Sequence, residues 1–246
     1  MPAKKVPVAL QLYSLRDVIP GDVPGTLKRV AEMGYDGVEF AGTYGLAGPE
    51  MRRLLEANRL RCAGAHTGLD LLEGEAFAQT AAFAQAVGND RLIVPGADLQ
   101  DLGRTIGRLN AAFARAKPLG LRVGYHNHVR EFDPQDGRTL FERIFAETPP
   151  EFLVQLDIGW ATAAGQDVPA LLRRYAARIE SVHVKEYDPD NGTAAVGEGA
   201  VRWPHLFDML ERETAVQWYV VEQEKYAVGP LESARTCIEN IRKLGR

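Results

Sequence analysis

A chain of 246 residues with 46% hydrophobic content is long for an ordinary domain but normal for one α/β barrel. Its formal net charge of −4, from 29 basic and 33 acidic side chains, argues against a dedicated nucleic-acid binder while leaving room for an anionic substrate bound locally. Cys62 and Cys237 are too few and too far apart for a disulfide framework or a cysteine metal site, which points to a reducing compartment.

The chain opens with Met1-Pro2-Ala3-Lys4-Lys5 and runs directly into a strand-length segment rather than a signal-peptide core. No apolar stretch reaches the roughly 20 residues a membrane helix needs, so a soluble, cytoplasmic protein with no membrane partner is expected. Strand-like and helix-like segments then alternate. Val6 to Tyr13 reads as a strand and Pro24 to Met33 as a helix; Gly37 to Phe40 and Pro49 to Asn58 form the next pair. The pattern repeats through Arg61 to His66 and Glu73 to Val87, Arg91 to Val94 and Asp98 to Lys117, and Leu121 to His126 and Arg138 to Phe145. It closes with Phe152 to Asp157 and Val168 to Tyr175, Ile179 to Val184 and Trp203 to Arg212, and Gln217 to Glu222 and Leu231 to Leu244. Gly34, Gly88 and Gly120 stand where helices stop, positions suited to a left-handed cap. Eight βα units without a long linker predict a single (β/α)8 TIM barrel spanning 1–246. A doubly wound sheet is the alternative, but no Gly-x-Gly-x-x-Gly follows the first strand.

In a barrel, chemistry sits at the C-terminal ends of the strands and on the loops that follow. Four of the five histidines, His66, His126, His128 and His183, fall there, together with Glu39, Glu131, Asp157, Lys185, Glu222 and Glu224. Gathering so many ionisable groups at one mouth is costly unless a cation or polar ligand compensates them. Glu131, Asp157, His183 and Glu222 offer three carboxylates and an imidazole from four neighbouring strands. This oxygen-rich set suits one Mn²⁺, Mg²⁺ or Co²⁺, with Zn²⁺ or Fe²⁺ as alternatives. Asp157 has a second reading as a cap of the following turn, and Glu131 as a solvated loop residue. His126 has an unperturbed pKa near neutrality and shares a face with His128, so both are candidates for proton transfer. Lys185 is a candidate to neutralise an oxyanion or hold an anionic group, unless it pairs with Glu222 or Glu224. Glu39 and His66 are expected to line the pocket or to make a barrel-mouth ion pair. Tyr13, Phe40, Trp160 and Trp203 lie near the same mouth and offer faces for stacking on a sugar or for core packing. Glu198, in Val196-Gly197-Glu198-Gly199, reads as a lid contact or as a plain surface turn. His205 falls in a predicted helix and reads as structural.

Several strings taken together resemble the sugar phosphate isomerase/epimerase group of the xylose-isomerase-like barrel superfamily. They are Gln11-Leu12-Tyr13-Ser14-Leu15-Arg16-Asp17, Gly37-Val38-Glu39-Phe40, Tyr125-His126-Asn127-His128 with Glu131-Phe132, and Leu156-Asp157-Ile158-Gly159-Trp160. His183-Val184-Lys185, the loop Val196 to Gly199 with Trp203, and Val221-Glu222-Gln223 complete the series. The resemblance implies divalent-metal ligation by Glu131, Asp157, His183 and Glu222. It also implies isomerisation or epimerisation of a sugar through an enediolate, and a dimer or tetramer as the homo-oligomer. One departure is visible: epimerases of the superfamily that act on free ketohexoses place their first ligating Glu within the fifth strand, where this chain reads Gly124-Tyr125-His126. A fifth-strand histidine therefore competes with Glu131 for the metal. Relatives with a histidine-rich fifth strand include lyases and hydrolases of 3-keto-glycosides, which share the chemistry as far as the enolate. A non-catalytic sugar-binding barrel is a third alternative, although it would not need both a metal set and spare bases. An apurinic endonuclease would need a multinuclear zinc cluster and a DNA-holding surface. Gly42-Thr43-Tyr44-Gly45 is too generic to mark a phosphate cradle.

Overall fold

The computed structural model describes residues 5–246. Eight parallel strands close into a barrel: β1 (Val8–Gln11), β2 (Gly37–Phe40), β3 (Arg61–His66), β4 (Arg91–Val94), β5 (Arg122–His126), β8 (Leu153–Asp157), β9 (Ser181–Val184) and β10 (Trp218–Val221). Two further short strands, β6 (Pro134–Gln135) and β7 (Arg138–Thr139), form a small antiparallel hairpin after β5. Going round the barrel, β1 pairs with β2 on one side and with β10 on the other, so the last strand closes on the first. The helices α1 (Val23–Glu32), α2 (Gly48–Ala57), α3 (Ala76–Ala86), α4 (Leu102–Ala116) and α5 (Leu140–Ala146) follow the first five barrel strands. The rest are α6 (Ile158–Ala163), α7 (Val168–Arg174), α8 (Trp203–Glu213) and α9 (Pro230–Lys243).

Alternation along the strands sorts the side chains into two apolar regions. Leu10, Val38, Leu92, Val123, Val154, Val182 and Val221 pack outward against the helices in one continuous core. Ala9, Ala63, Trp218 and Val220 form a separate small cluster. Ala9, Trp218 and Val220 share parity with Gln11 and Glu222, so the same side of each strand that is apolar low in the barrel becomes polar at its C-terminal end. At the N-terminal end, Glu180 gathers Arg91, Arg122 and Gln217, and Asp90 joins both arginines.

The eight predicted strands and their order along the chain are all present. Gly34, Gly88 and Gly120 take positive φ values of 94°, 72° and 70°. The differences lie at element ends. The expected first strand, Val6 to Tyr13, is regular only over Val8–Gln11, because Leu12–Leu15 turn into a 3₁₀ segment capped by the Gln11 side chain. The helix expected from Arg138 starts at Leu140, where Thr139 and Glu142 form a capping box, leaving Arg138 and Thr139 to the hairpin. The short α6 after Asp157 was hidden by Gly159 and Thr162 and is nucleated by the Asp157 side chain, which accepts from the Trp160 N–H at 2.8 Å. No helix among the described residues is long and apolar enough to cross a membrane.

Candidate active site

Four neighbouring strands deliver the central group. His126 ends β5, Asp157 ends β8, His183 lies on β9 opposite Asp157, and Glu222 follows β10. All four are buried, and their ligand atoms lie within 4.8 Å of one another. His183 Nδ1 is 3.3 Å from Glu222 Oε2 and 3.8 Å from Asp157 Oδ2; His126 Nε2 is 4.0 Å from Asp157 Oδ2. Donor atoms that share one divalent ion stand about 3 to 4 Å apart, given bond lengths near 2.0–2.2 Å. Two atoms of the group, Asp157 Oδ2 and His126 Nδ1, are buried without a hydrogen-bond partner. An orphaned carboxylate oxygen in a dry site is costly, and a cation coordinated there would satisfy it. The two imidazoles and two carboxylates fit a divalent metal by this test.

Asp157 serves two purposes at once. Its Oδ1 caps α6, while Asn127 brackets its backbone, with Oδ1 accepting from the Asp157 N–H at 2.9 Å and Nδ2 donating to the Asp157 carbonyl at 3.3 Å. The carboxylate is thereby held with Oδ2 free toward His126 and His183. Burial pushes its pKa up to about 7, against the pull of Lys185 and His183. For His183, burial disfavours the charged ring, but Glu39 and Glu222 outweigh it and push the group up to about 10. Burial works against ionised Glu222 as well, and Lys185 and His183 prevail, holding it well below the usual carboxylate range. His126 is driven the other way: burial, then repulsion from His183 and His66, keeps its imidazole neutral. A neutral imidazole is the form that ligates a metal.

Glu131 is not part of this group, which corrects the expectation that it supplies the fourth ligand. Its Oε1 accepts from the Tyr125 hydroxyl at 2.9 Å and its Oε2 from the His128 N–H at 2.8 Å, so the carboxylate closes its own loop. His126 occupies the remaining place. Of the two readings for Glu39, the ion pair is the one the structure shows: it is fully buried behind His183, with its oxygens taken by Gln11, Gln155, His66 and His183. Glu198 accepts from the Ala195 N–H and from Asn240 on α9, which makes it a loop brace rather than a mouth residue. The neighbouring Glu186 organises that loop, accepting from the Gly197 and Val201 N–H groups and from the Trp203 indole. Trp203 is accordingly fully buried against Phe207, and Phe40 packs on Phe83, so neither offers a face at the reactive centre. His205 is exposed on α8.

What opens above the buried group is a cavity of about 360 Å³ lined by Tyr13, His66, His126, His128, Glu222 and Glu224. A second cavity of about 420 Å³ lies across Glu222 and Glu224, bounded by Trp160, Lys185, Gln223 and Lys225. Lys185 is buried and ion-paired with both Glu222 and Glu224, the arrangement set beside the oxyanion role in the sequence reading. Gln11, Asn127 and Gln155 are site residues that the sequence reading passed over. For Gln155 the signal was available, because it precedes Asp157 by two residues and so shares its inward face.

Comparison with known proteins agrees with this architecture. A curated inosose dehydratase from Mesomycoplasma hyopneumoniae is 26% identical over 151 residues, 52% of this chain and 50% of that protein. The chain thus spans about half the length of the curated relatives it matches. Among solved structures, a sugar phosphate isomerase/epimerase from Parabacteroides distasonis superposes with a TM-score of 0.84 at 20% identity, covering 98% of this chain and 97% of that one. A 3-keto-D-glucoside 4-epimerase from E. coli gives 0.71 at 15% identity over 97% of this chain and all of its own. A family model described as the xylose isomerase-like TIM barrel matches residues 27–244, and the chain belongs to that family.

Proposed function

We propose that the protein is a divalent-metal-dependent enzyme that removes the proton next to the carbonyl of a sugar or keto-sugar, leading to isomerisation or epimerisation. The observation that carries this reading is the group His126, Asp157, His183 and Glu222, with its two unpartnered buried atoms, directly beneath a cavity lined by His128 and His66. These four side chains would hold the cation. When bound, a cation supplies Lewis-acid polarisation of a carbonyl, which lowers the cost of removing the adjacent proton. With His126 committed to the metal group, His128 is the base that remains at the cavity; its backbone is pinned by Glu131, and its ring packs between His126 and Trp160. Tyr13, nearly half exposed at the rim, offers an aromatic face to the substrate. Lys185 balances Glu222 and Glu224 and keeps both in place for substrate hydroxyls.

A lyase is the second reading, and the second cavity is the observation that favours it. Elimination needs the same proton removal followed by loss of a β-substituent, and a space of about 420 Å³ beyond Glu222 would seat that group. The similarity to inosose dehydratases over half their length leans the same way. Both readings are tested by incubating the protein and Mn²⁺ in D₂O with ketohexoses, inososes and 3-keto-glycosides, followed by NMR. Deuterium uptake with the carbon skeleton and substituents intact supports the isomerase/epimerase, and release of water or an alcohol supports the lyase. Exchange that persists unchanged in Asp157→Ala would sink the metal-dependent mechanism for both.

A further inference from the structure

Glu39 is an ionisable group with no access to either cavity, yet the fold makes special provision for it. The pairing of β2 with β3 shifts register between Val38 and Glu39: Ala63 is the extra residue on β3, so Gly64 rather than Ala63 comes to stand beside Glu39, which faces into the barrel by ordinary alternation. The residue set opposite Glu39 is Gly64, where a Cβ would stand 2.9 Å from Glu39 Oε2. Any larger residue there would press on the carboxylate. Burying an isolated carboxylate costs several kcal/mol, so the arrangement needs a use.

Its hydrogen bonds point to one. Glu39 Oε2 accepts from Gln155 Nε2 at 2.6 Å, and Oε1 accepts from Gln11 Nε2 at 2.7 Å. With its amide nitrogen facing the carboxylate and Ser181, Gln155 presents its oxygen to His66 Nε2 at 2.7 Å, so that nitrogen carries a proton. His183 Nε2 lies 2.7 Å from Glu39 Oε1, and an ionised carboxylate can only accept. The proton of a neutral His183 therefore sits on Nε2. That leaves Nδ1, which faces Asp157 and Glu222, as the atom with a lone pair to give. A carboxylate behind a ligating imidazole fixes the tautomer and the ring angle and raises the basicity of the ligating nitrogen.

We infer that Glu39, admitted by the Gly64 that the β3 irregularity sets beside it, is the positioning residue that prepares His183 Nδ1 for a divalent cation. This rests on the metal reading given under Proposed function and extends it to a residue outside the ligand group. Gln11 and Gln155 hold Glu39 in turn, so the network runs from β1 through β2 and β8 to β9.

The test uses the full chain stripped with a chelator and titrated with Mn²⁺ by calorimetry, with ¹H–¹⁵N spectra of the diamagnetic Zn²⁺-bound form reporting the His183 tautomer. Wild type should bind with His183 protonated on Nε2. Glu39→Gln should weaken Mn²⁺ affinity by about 10- to 100-fold, lose the single-tautomer signature and still unfold cooperatively. Gly64→Ala leaves the carboxylate in the chain but crowds it, and it should reproduce the loss in affinity. It also keeps the test decisive where Glu39→Gln does not fold. Affinity within about twofold of wild type in both variants, or His183 protonated on Nδ1 in the Zn²⁺-bound wild type, would overturn the assignment while leaving the metal site standing. If the wild type binds neither Mn²⁺, Co²⁺ nor Zn²⁺, the metal reading itself fails and the role of Glu39 falls with it.

Discussion

The Lys185 ammonium lies 3.2 Å from Glu222 Oε2 and 4.6 Å from the centre of the Trp160 ring, buried between an acid and an aromatic face. Together with His183 it balances the acids of the site in the metal-free protein. Replacing it by Lys185→Met removes the ion-pair partner of Glu224 and leaves Glu222 with His183 alone. Breaking a buried pair from one side costs about 3–5 kcal/mol, so the thermal midpoint of the metal-free variant should fall sharply. Saturating Mn²⁺ should restore most of it, because the metal then supplies the missing positive charge. Thermal unfolding with and without Mn²⁺ checks both halves; a variant that Mn²⁺ fails to rescue would show that Lys185 supports packing alone.

Glu131 and Asp157 should behave as opposites. Glu131→Ala removes an acceptor from the Tyr125 hydroxyl and the His128 N–H, which costs roughly 1–3 kcal/mol of stability through unsatisfied buried donors. Mn²⁺ affinity should change little. Asp157→Ala removes a ligand and the cap of α6 together, and should abolish tight Mn²⁺ binding. Parallel calorimetry on the two variants decides it, and a large loss of affinity in Glu131→Ala would return that residue to the ligand group.

Metal binding should strengthen as pH rises from about 6 to about 9, with protons released on binding. The sign follows from the groups involved. His183, pushed up to about 10 from its ordinary 6.5, stabilises the metal-free fold fully below 6.5, and that contribution is lost as pH climbs toward 10. Asp157, pushed up to about 7 from 3.8, makes the fold increasingly costly as pH rises between those values. Glu39 and Glu222 shift downward and contribute fully throughout this window. The metal-free protein should therefore lose stability across the range while the Mn²⁺ form gains on it. Calorimetry in buffers of differing ionisation enthalpy counts the protons; pH-independent binding would contradict the sign.

At the opposite end of the barrel, Glu180→Ala should separate stability from function. Glu180 accepts from Arg91 at 3.0 Å and from Arg122 and Gln217, and its removal leaves two arginines crowded at the base of β4 and β5. A loss of about 2–4 kcal/mol is expected, with Mn²⁺ affinity unchanged, since this face carries no chemistry in such barrels. Denaturant unfolding and Mn²⁺ titration of the same preparation provide the two readings.

The barrel was legible because each strand is a short apolar run ending in a polar residue and each helix has its own period. Asp157, His183 and Glu222 were legible for a related reason: a charged residue that ends a buried strand has nowhere to go but the mouth. Glu131 misled because sequence distance says nothing about a loop that folds back on its own strand, where Tyr125 and the His128 N–H were waiting for the carboxylate. The strand-end position of Glu39 leaves pocket lining and ion pairing open alike, because position along a strand does not tell depth; two glutamines and two histidines close over it. For Trp203 the sequence leaves stacking and core packing open, and core packing wins because Glu186 holds its indole nitrogen. Asn127, which bonds to the backbone of His128 and Asp157 from a loop, leaves no local pattern to find, whereas Gln155 shares the inward parity of Asp157.

The bond between His183 and Glu39 joins residues 144 positions apart and crosses the seam where the last strand meets the first. The four residues proposed to hold the cation lie on or just after the strands β5, β8, β9 and β10, while Glu39 and Gln11 belong to β2 and β1 on the far side of that seam. Cation affinity consequently reports on ring closure. A molecule whose seam has parted would keep its helices and most of its strands yet hold the ion poorly, so the metal would be shed before the secondary structure is lost.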